Sequence, residues 1–127
     1  SQYCAKEMIK QDHGSIINIS SVAGIVQKVN KGIEYGISKN ALNYLTKSLC
    51  LVLAEHNIRV NSIAPGYTNT DMMSYTEEQK KEKSKKVPLG QINDCIDIAK
   101  TAVYLACDDA RYITGQVIAV DGGLSIK

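Results

Sequence analysis

Apolar and polar positions along the chain alternate between two periods. Residues 2–11 carry Tyr3, Cys4, Met8 and Ile9 at helical spacing, and Asp12, His13 and Gly14 end that helix. Residues 15–20 (SIINIS) are short, apolar and β-branched, which predicts a buried strand. A loop runs from Ser21 to about Gly32. Over 34–55 apolar residues recur at Ile37, Ala41, Leu42, Leu45, Leu49, Val52 and Leu53. Steps of three and four predict a helix roughly 30 Å long with that stripe towards the core and Leu51 outside it. Residues 58–64 (IRVNSIA) form a second strand, broken by Pro65 and Gly66. Residues 67–90 are polar and lysine-rich, with a short helix between loops. Asp94 is placed to cap a helix over 95–107 that buries Ile98, Ala102, Val103, Leu105 and Ala106. Residues 116–120 (QVIAV) are the third strand, closed by Asp121, Gly122 and Gly123.

Short strands separated by long helices imply an α/β protein with a parallel sheet and right-handed crossovers. In such a sheet ligands bind beyond the carboxyl ends of the strands. Those ends are Ser20-Ser21, Ala64-Pro65-Gly66 and Val120-Asp121-Gly122. Composition narrows the picture further. With 127 residues the chain holds at most one domain. It has seven Tyr but neither Phe nor Trp, so aliphatic side chains must build the core, as parallel sheets require. A net charge of +2 is too small to point to nucleic acid, and the lysines over 80–86 read as a solvated helix face. Cys4, Cys50, Cys95 and Cys107 form no CxxC pair and stand near no histidine at metal-ligand spacing, so no metal site is expected. Cys50 and Cys107 fall in apolar helical runs and read as small buried hydrophobes. Four reduced thiols suit an intracellular, cytoplasmic location. No apolar run reaches the length of a membrane span. The chain starts at Ser1 inside a helical pattern, which suggests an incomplete chain.

Tyr35 and Lys39 stand four apart on the long helix and share a face. A tyrosine hydroxyl ionises near pH 10, and an ammonium close by favours its charged form, so the pair is a candidate general acid/base. Such pairs are common by chance. Context strengthens this one: Ser20 and Ser21 close a strand at the ligand-binding edge, just before the loop that leads to Tyr35. At the next strand end, Pro65-Gly66 lets backbone approach a flat ligand, and Thr68 and Thr70 follow.

Four segments together, GSIINISSVAG (14–24), YGISK (35–39), IRVNSIAPGYTNTDM (58–72) and YITGQVIAVDGG (112–123), resemble the short-chain dehydrogenase/reductase family in order and spacing. The resemblance implies the C-terminal half of a Rossmann-type doubly wound parallel sheet, with three of an expected seven strands and their flanking helices. It implies that residues 1–127 are the catalytic part of one NAD(P)-binding domain whose N-terminal nucleotide-binding half is absent, and that the piece alone is inactive. Ser21 matches the family's catalytic serine, Tyr35 the tyrosine and Lys39 the lysine. The serine would orient the substrate oxygen, and the tyrosine would exchange its proton. The lysine would tune the tyrosine and hold the nicotinamide ribose. Tyr35 and Lys39 therefore also face the cofactor, NAD or NADP, as do Pro65, Gly66, Thr68 and Thr70. Asp121-Gly122-Gly123 matches a structural terminal motif, and the segment from about Met72 to Gly90 a substrate lid. That lid holds no arginine, which argues against bidentate carboxylate recognition.

The expected activity is interconversion of a carbonyl and a secondary alcohol on a small molecule. The nearest-looking subtype is a 3-oxoacyl-[acyl-carrier-protein] reductase, and a sugar or polyol dehydrogenase is the runner-up. A non-enzymatic binding protein of the same fold would have lost Ser21, Tyr35 or Lys39, and all three are present. Family members pair through the long helix, which implies a homodimer or homotetramer; no nucleic-acid or membrane partner is expected.

Overall fold

The computed structural model describes residues 2–26, 32–71 and 73–127. The middle of the predicted 21–32 loop, Ser1 and Met72 lie outside the described residues. Helix α1 (Gln2–Gln11) leads to strand β1 (Gly14–Ile19), a 3-10 turn (Val22–Gly24) and helix α2 (Ile33–Leu53). Strand β2 (Ile58–Pro65), the short strand β3 (Thr68–Asn69) and helix α3 (Glu77–Ser84) follow. Strand β4 (Asn93–Asp94), helix α4 (Cys95–Ala106) and strand β5 (Val117–Val120) complete the chain.

The main sheet is parallel in the order β1-β2-β5, with Gly14 opposite Ile58, Ile19 opposite Ile63 and Pro65 opposite Val120. This register brings the three carboxyl ends side by side. Helices cover both faces. On one, Ala5, Cys50 and Leu53 pack on Ile58 and Val60; on the other, Leu105 and Ala110 pack on Ile63. Central β2 is buried at every position from Ile58 to Ala64 despite holding Arg59, Asn61 and Ser62. Each polar side chain there has a partner, as burial demands. Arg59 donates to the carbonyls of Leu105, Ala106 and Cys107 at 2.6, 3.3 and 3.2 Å, satisfying the last turn of α4 with a cation where the helix dipole is negative. Asn61 donates to Ile113 O and accepts from Gln116 N, which holds the entry to β5.

Three expectations change. The stripe predicted to face the core from α2 is turned outward: Ile37, Ala41, Leu45 and Val52 are exposed, Leu42 and Leu49 are half-buried, and of the seven only Leu53 is buried. The inward stripe is Asn43, Thr46, Cys50 and Leu53. It is polar at its amino-terminal end because it meets backbone and polar side chains. Asn43 lies by Ser62 Oγ at 3.3 Å, and Thr46 accepts from Asn18 Nδ2 at 2.9 Å. On α4, Leu105 is buried and Ile98 and Ala102 are half-buried, but Val103 and Ala106 are exposed. Cys107 is also exposed, because α4 ends one residue before it and the chain there turns extended. All four cysteines are free. Among the described residues no helix is long and apolar enough to cross a membrane. Finally, the lysine-rich segment holds the predicted short helix α3, opened by a Thr76–Gln79 capping box, but also a parallel β3–β4 ladder that the periodicity did not indicate.

Candidate active site

The two serines at the end of β1 part company because successive residues of an extended chain face opposite ways. Ser20 points inward, 3% exposed, and its hydroxyl donates to Lys39 O at 3.1 Å. Ser21 is extended (φ −164°) and caps the 3-10 turn by accepting from Ala23 N at 3.1 Å. Its own O–H is left to donate into the cleft beside it.

Close packing sets the distance from this turn to α2. A Cβ on Gly24 would lie 2.6 Å from the Lys39 carbonyl carbon, and one on Gly36 would lie 3.0 Å from Ala23 O. The contact is also tied by polar bonds. Asn40 Nδ2 and Asn43 Nδ2 both donate to Gly24 O, at 3.0 and 3.1 Å. Tyr35 emerges beside this junction with its ring half exposed. One turn later, Lys39 Nζ stands 5.6 Å from the Tyr35 ring centroid and donates to Ile19 O at 3.0 Å. The ammonium thus joins α2 to the end of β1 with two N–H donors still available.

The other wall comes from β2. Gly66 N donates to Val120 O at 3.0 Å, and a Cβ on Gly66 would lie 2.9 Å from Asp121 Cα, so only glycine lets the loop lie against β5. Thr68 Oγ1 donates to Gly66 O, whereas Thr70 Oγ1 accepts from Met73 N. Asp121 is a buried framework group: it accepts from Gly123 N at 2.9 Å and Ser125 N at 2.7 Å. Burial pushes its carboxyl up, but hydrogen bonds from Ser125 and Gly123 outweigh this and hold it below the usual carboxylate range.

Ser21, Tyr35, Lys39, Pro65, Gly66, Thr68 and Thr70 all line one open cleft at the carboxyl ends of β1 and β2. Sequence reading missed Lys83 of α3, whose ammonium lies 4.3 Å from the Tyr67 ring centroid and 4.7 Å from that of Tyr75. All three residues line the same cleft. Burial and the neighbouring Tyr67 push the Tyr75 phenol above its ordinary value. One sequence signal could have found Lys83: no acidic residue stands three or four positions away on either side, at 79, 80, 86 or 87.

A parallel sheet covered on both faces, with hydroxyl, ammonium and close-packed glycine gathered at its carboxyl edge, is a Rossmann-type α/β arrangement. The chain belongs to the short-chain dehydrogenase/reductase family. A family model described as enoyl-(acyl carrier protein) reductase matches residues 1–125. The chain is 40% identical to the 3-oxoacyl-[acyl-carrier-protein] reductase FabG of Thermotoga maritima over 127 residues, which is 99% of this chain and 51% of that protein. Among solved structures it is similar to a short-chain type dehydrogenase/reductase from Mycobacterium ulcerans, with TM-score 0.92 and 33% identity, covering 99% of this chain and 46% of that one. It is also similar to a gluconate 5-dehydrogenase from Burkholderia cenocepacia in complex with NADP and tartrate, with TM-score 0.89 and 31% identity, covering 99% and 50%. The chain spans about half the length of the curated relatives it matches.

Proposed function

We propose that this chain is the catalytic part of a single NAD(P)-binding domain in an oxidoreductase that interconverts a carbonyl and a secondary alcohol. The observation that carries this reading is the convergence of Ser21, Tyr35, Lys39 and the 65–70 loop on one cleft. The Ser21 O–H donates to the substrate oxygen and fixes its position. The Tyr35 hydroxyl gives that oxygen a proton during reduction and takes it back during oxidation. Lys39, with two donors available, binds the hydroxyls of a nicotinamide ribose and keeps a positive charge beside Tyr35. The donor set fits a nicotinamide nucleotide: Lys39 stands on one wall of the cleft, and the free proton of Thr70 and the Pro65–Gly66 loop stand on the other. When bound, such a nucleotide supplies or accepts the hydride.

For the substrate, the likeness to the reductase of Thermotoga maritima supports a 3-oxoacyl thioester. The likeness to gluconate 5-dehydrogenase favours a sugar or polyol as the second reading. The outward stripe of Ile37, Leu45 and Val52 on α2 supports a homodimer or homotetramer, and light scattering of the whole protein at micromolar concentration will show an oligomer. A monomer there would end the oligomer reading.

The serines provide the test, with the whole protein, NADPH or NADH and a panel of ketones. Ser21→Ala will lower kcat by about a hundredfold with little change in unfolding. Ser20→Ala will act first on stability, losing about 1 kcal/mol in urea denaturation. If no ketone oxidises either nucleotide, the oxidoreductase reading fails. If Ser20→Ala stops turnover and Ser21→Ala does not, the serine assignment fails.

A further inference from the structure

We propose that Lys83 binds an anionic group of the substrate, a carboxylate or a phosphate carried at a distance from its reacting oxygen. This rests on reading the cleft as the oxidoreductase site.

Four observations support it. First, Lys80 on α3 pairs with Glu77 at 2.7 Å and Lys86 beyond its end pairs with Glu82 at 3.4 Å. Lys81 and Lys85 make no ion pair among the described residues, but unlike Lys83 they do not line the cleft. Lys83 pairs with no carboxylate among the described residues, and its three N–H donors make no hydrogen bond to them. Second, its side chain lines the cleft rather than projecting to bulk solvent. Third, among the described residues no acidic side chain lines that cleft, and Lys83 and Lys39 are its charged ones. Fourth, the Tyr67 and Tyr75 rings hold the ammonium by their faces. Aromatic faces hold a cation without neutralising it, so among the described residues its counter-charge is unfilled and a ligand can supply it. A lysine offers a point charge rather than a fork, which suits either a carboxylate or a phosphate.

The probes are a trifluoromethyl-benzoate and the matching neutral benzamide, whose binding to the whole protein is followed by fluorine NMR. This readout needs no turnover. The benzoate should bind about fivefold more tightly than the benzamide, the scale of a partly exposed ion pair. Lys83→Met, which keeps the apolar stem, should abolish that preference, and Lys83→Arg should retain it. Saturating NADP should leave the benzoate bound. The proposal is overturned if the benzamide binds equally well or if the preference survives in Lys83→Met. It is also overturned if Lys83→Arg loses the preference too, since packing rather than charge would then be responsible. Displacement of the benzoate by NADP would assign Lys83 to the cofactor's phosphates and overturn the substrate assignment. Failure of the oxidoreductase reading shows separately, as absent ketone reduction beside an intact benzoate preference.

Discussion

Tyr35→Phe in the whole protein will lower turnover by about a thousandfold while nucleotide affinity changes by no more than about twofold. The substitution removes one oxygen from a ring that is half exposed in the cleft, so it leaves no buried group unpaired and little packing is lost. Lys39 keeps its bond to Ile19 O, so the wall proposed to face a nicotinamide ribose should persist. The change therefore isolates the proton that the hydroxyl is proposed to transfer. Cofactor absorbance during ketone reduction measures the first quantity, and nucleotide fluorescence on binding measures the second. Parental turnover in Tyr35→Phe would remove the tyrosine from the mechanism. Equal losses of turnover and nucleotide affinity would make it a binding residue instead.

Gly24→Ala will destabilise the fold by about 2–3 kcal/mol and reduce kcat with it. The added methyl would meet the Lys39 carbonyl carbon at 2.6 Å, Asn40 N at 2.8 Å and Lys39 O at 2.9 Å. All three are helix backbone, which cannot swing aside as a side chain can. Relief requires the 3-10 turn to move off α2. That motion stretches the Asn40 and Asn43 bonds to Gly24 O and carries Ser21 away from Tyr35. Gly36→Ala approaches a single atom, Ala23 O at 3.0 Å, and should cost about 1 kcal/mol. Urea denaturation gives both values, and steady-state kinetics gives the accompanying loss. Parental stability in Gly24→Ala would mean that the turn is free to shift, and that close packing does not set the distance between serine and tyrosine.

Much of this architecture was legible in the linear pattern, and for a physical reason. Strands β1, β2 and β5 were marked by apolar, β-branched runs bounded by Gly, Pro and Asp, and such local signals need no partner to be read. Tyr35 and Lys39 were legible because helical spacing alone puts residues four apart on one face. The glycine after Pro65 marked a close approach of backbone to a flat ligand, whereas the close approach seen in the structure is to Asp121 of the neighbouring strand end.

Other features depended on what each element meets. Hydrophobicity predicted the wrong inward face for α2, because the surface it packs on is partly polar: Asn43 and Thr46 are buried by their hydrogen bonds, while Ile37 and Val52 stay outside. Val103 and Cys107 are apolar in type yet exposed, since α4 packs on the sheet through Leu105, which leaves Val103 on another face, and ends before Cys107. Neither Ser20 nor Ser21 could be placed inside or outside from composition; the strand end and the Lys39 carbonyl decided it. Lys83 looked like one more solvated lysine until α3 folded back over Tyr67. By itself the sequence determined the element types, the parallel sheet and the shared face of Tyr35 and Lys39 on α2, because spacing and side-chain type act locally. The tertiary structure alone decided which faces are buried, which serine opens to the cleft and which lysine enters it, because those outcomes depend on contacts between residues far apart in the chain.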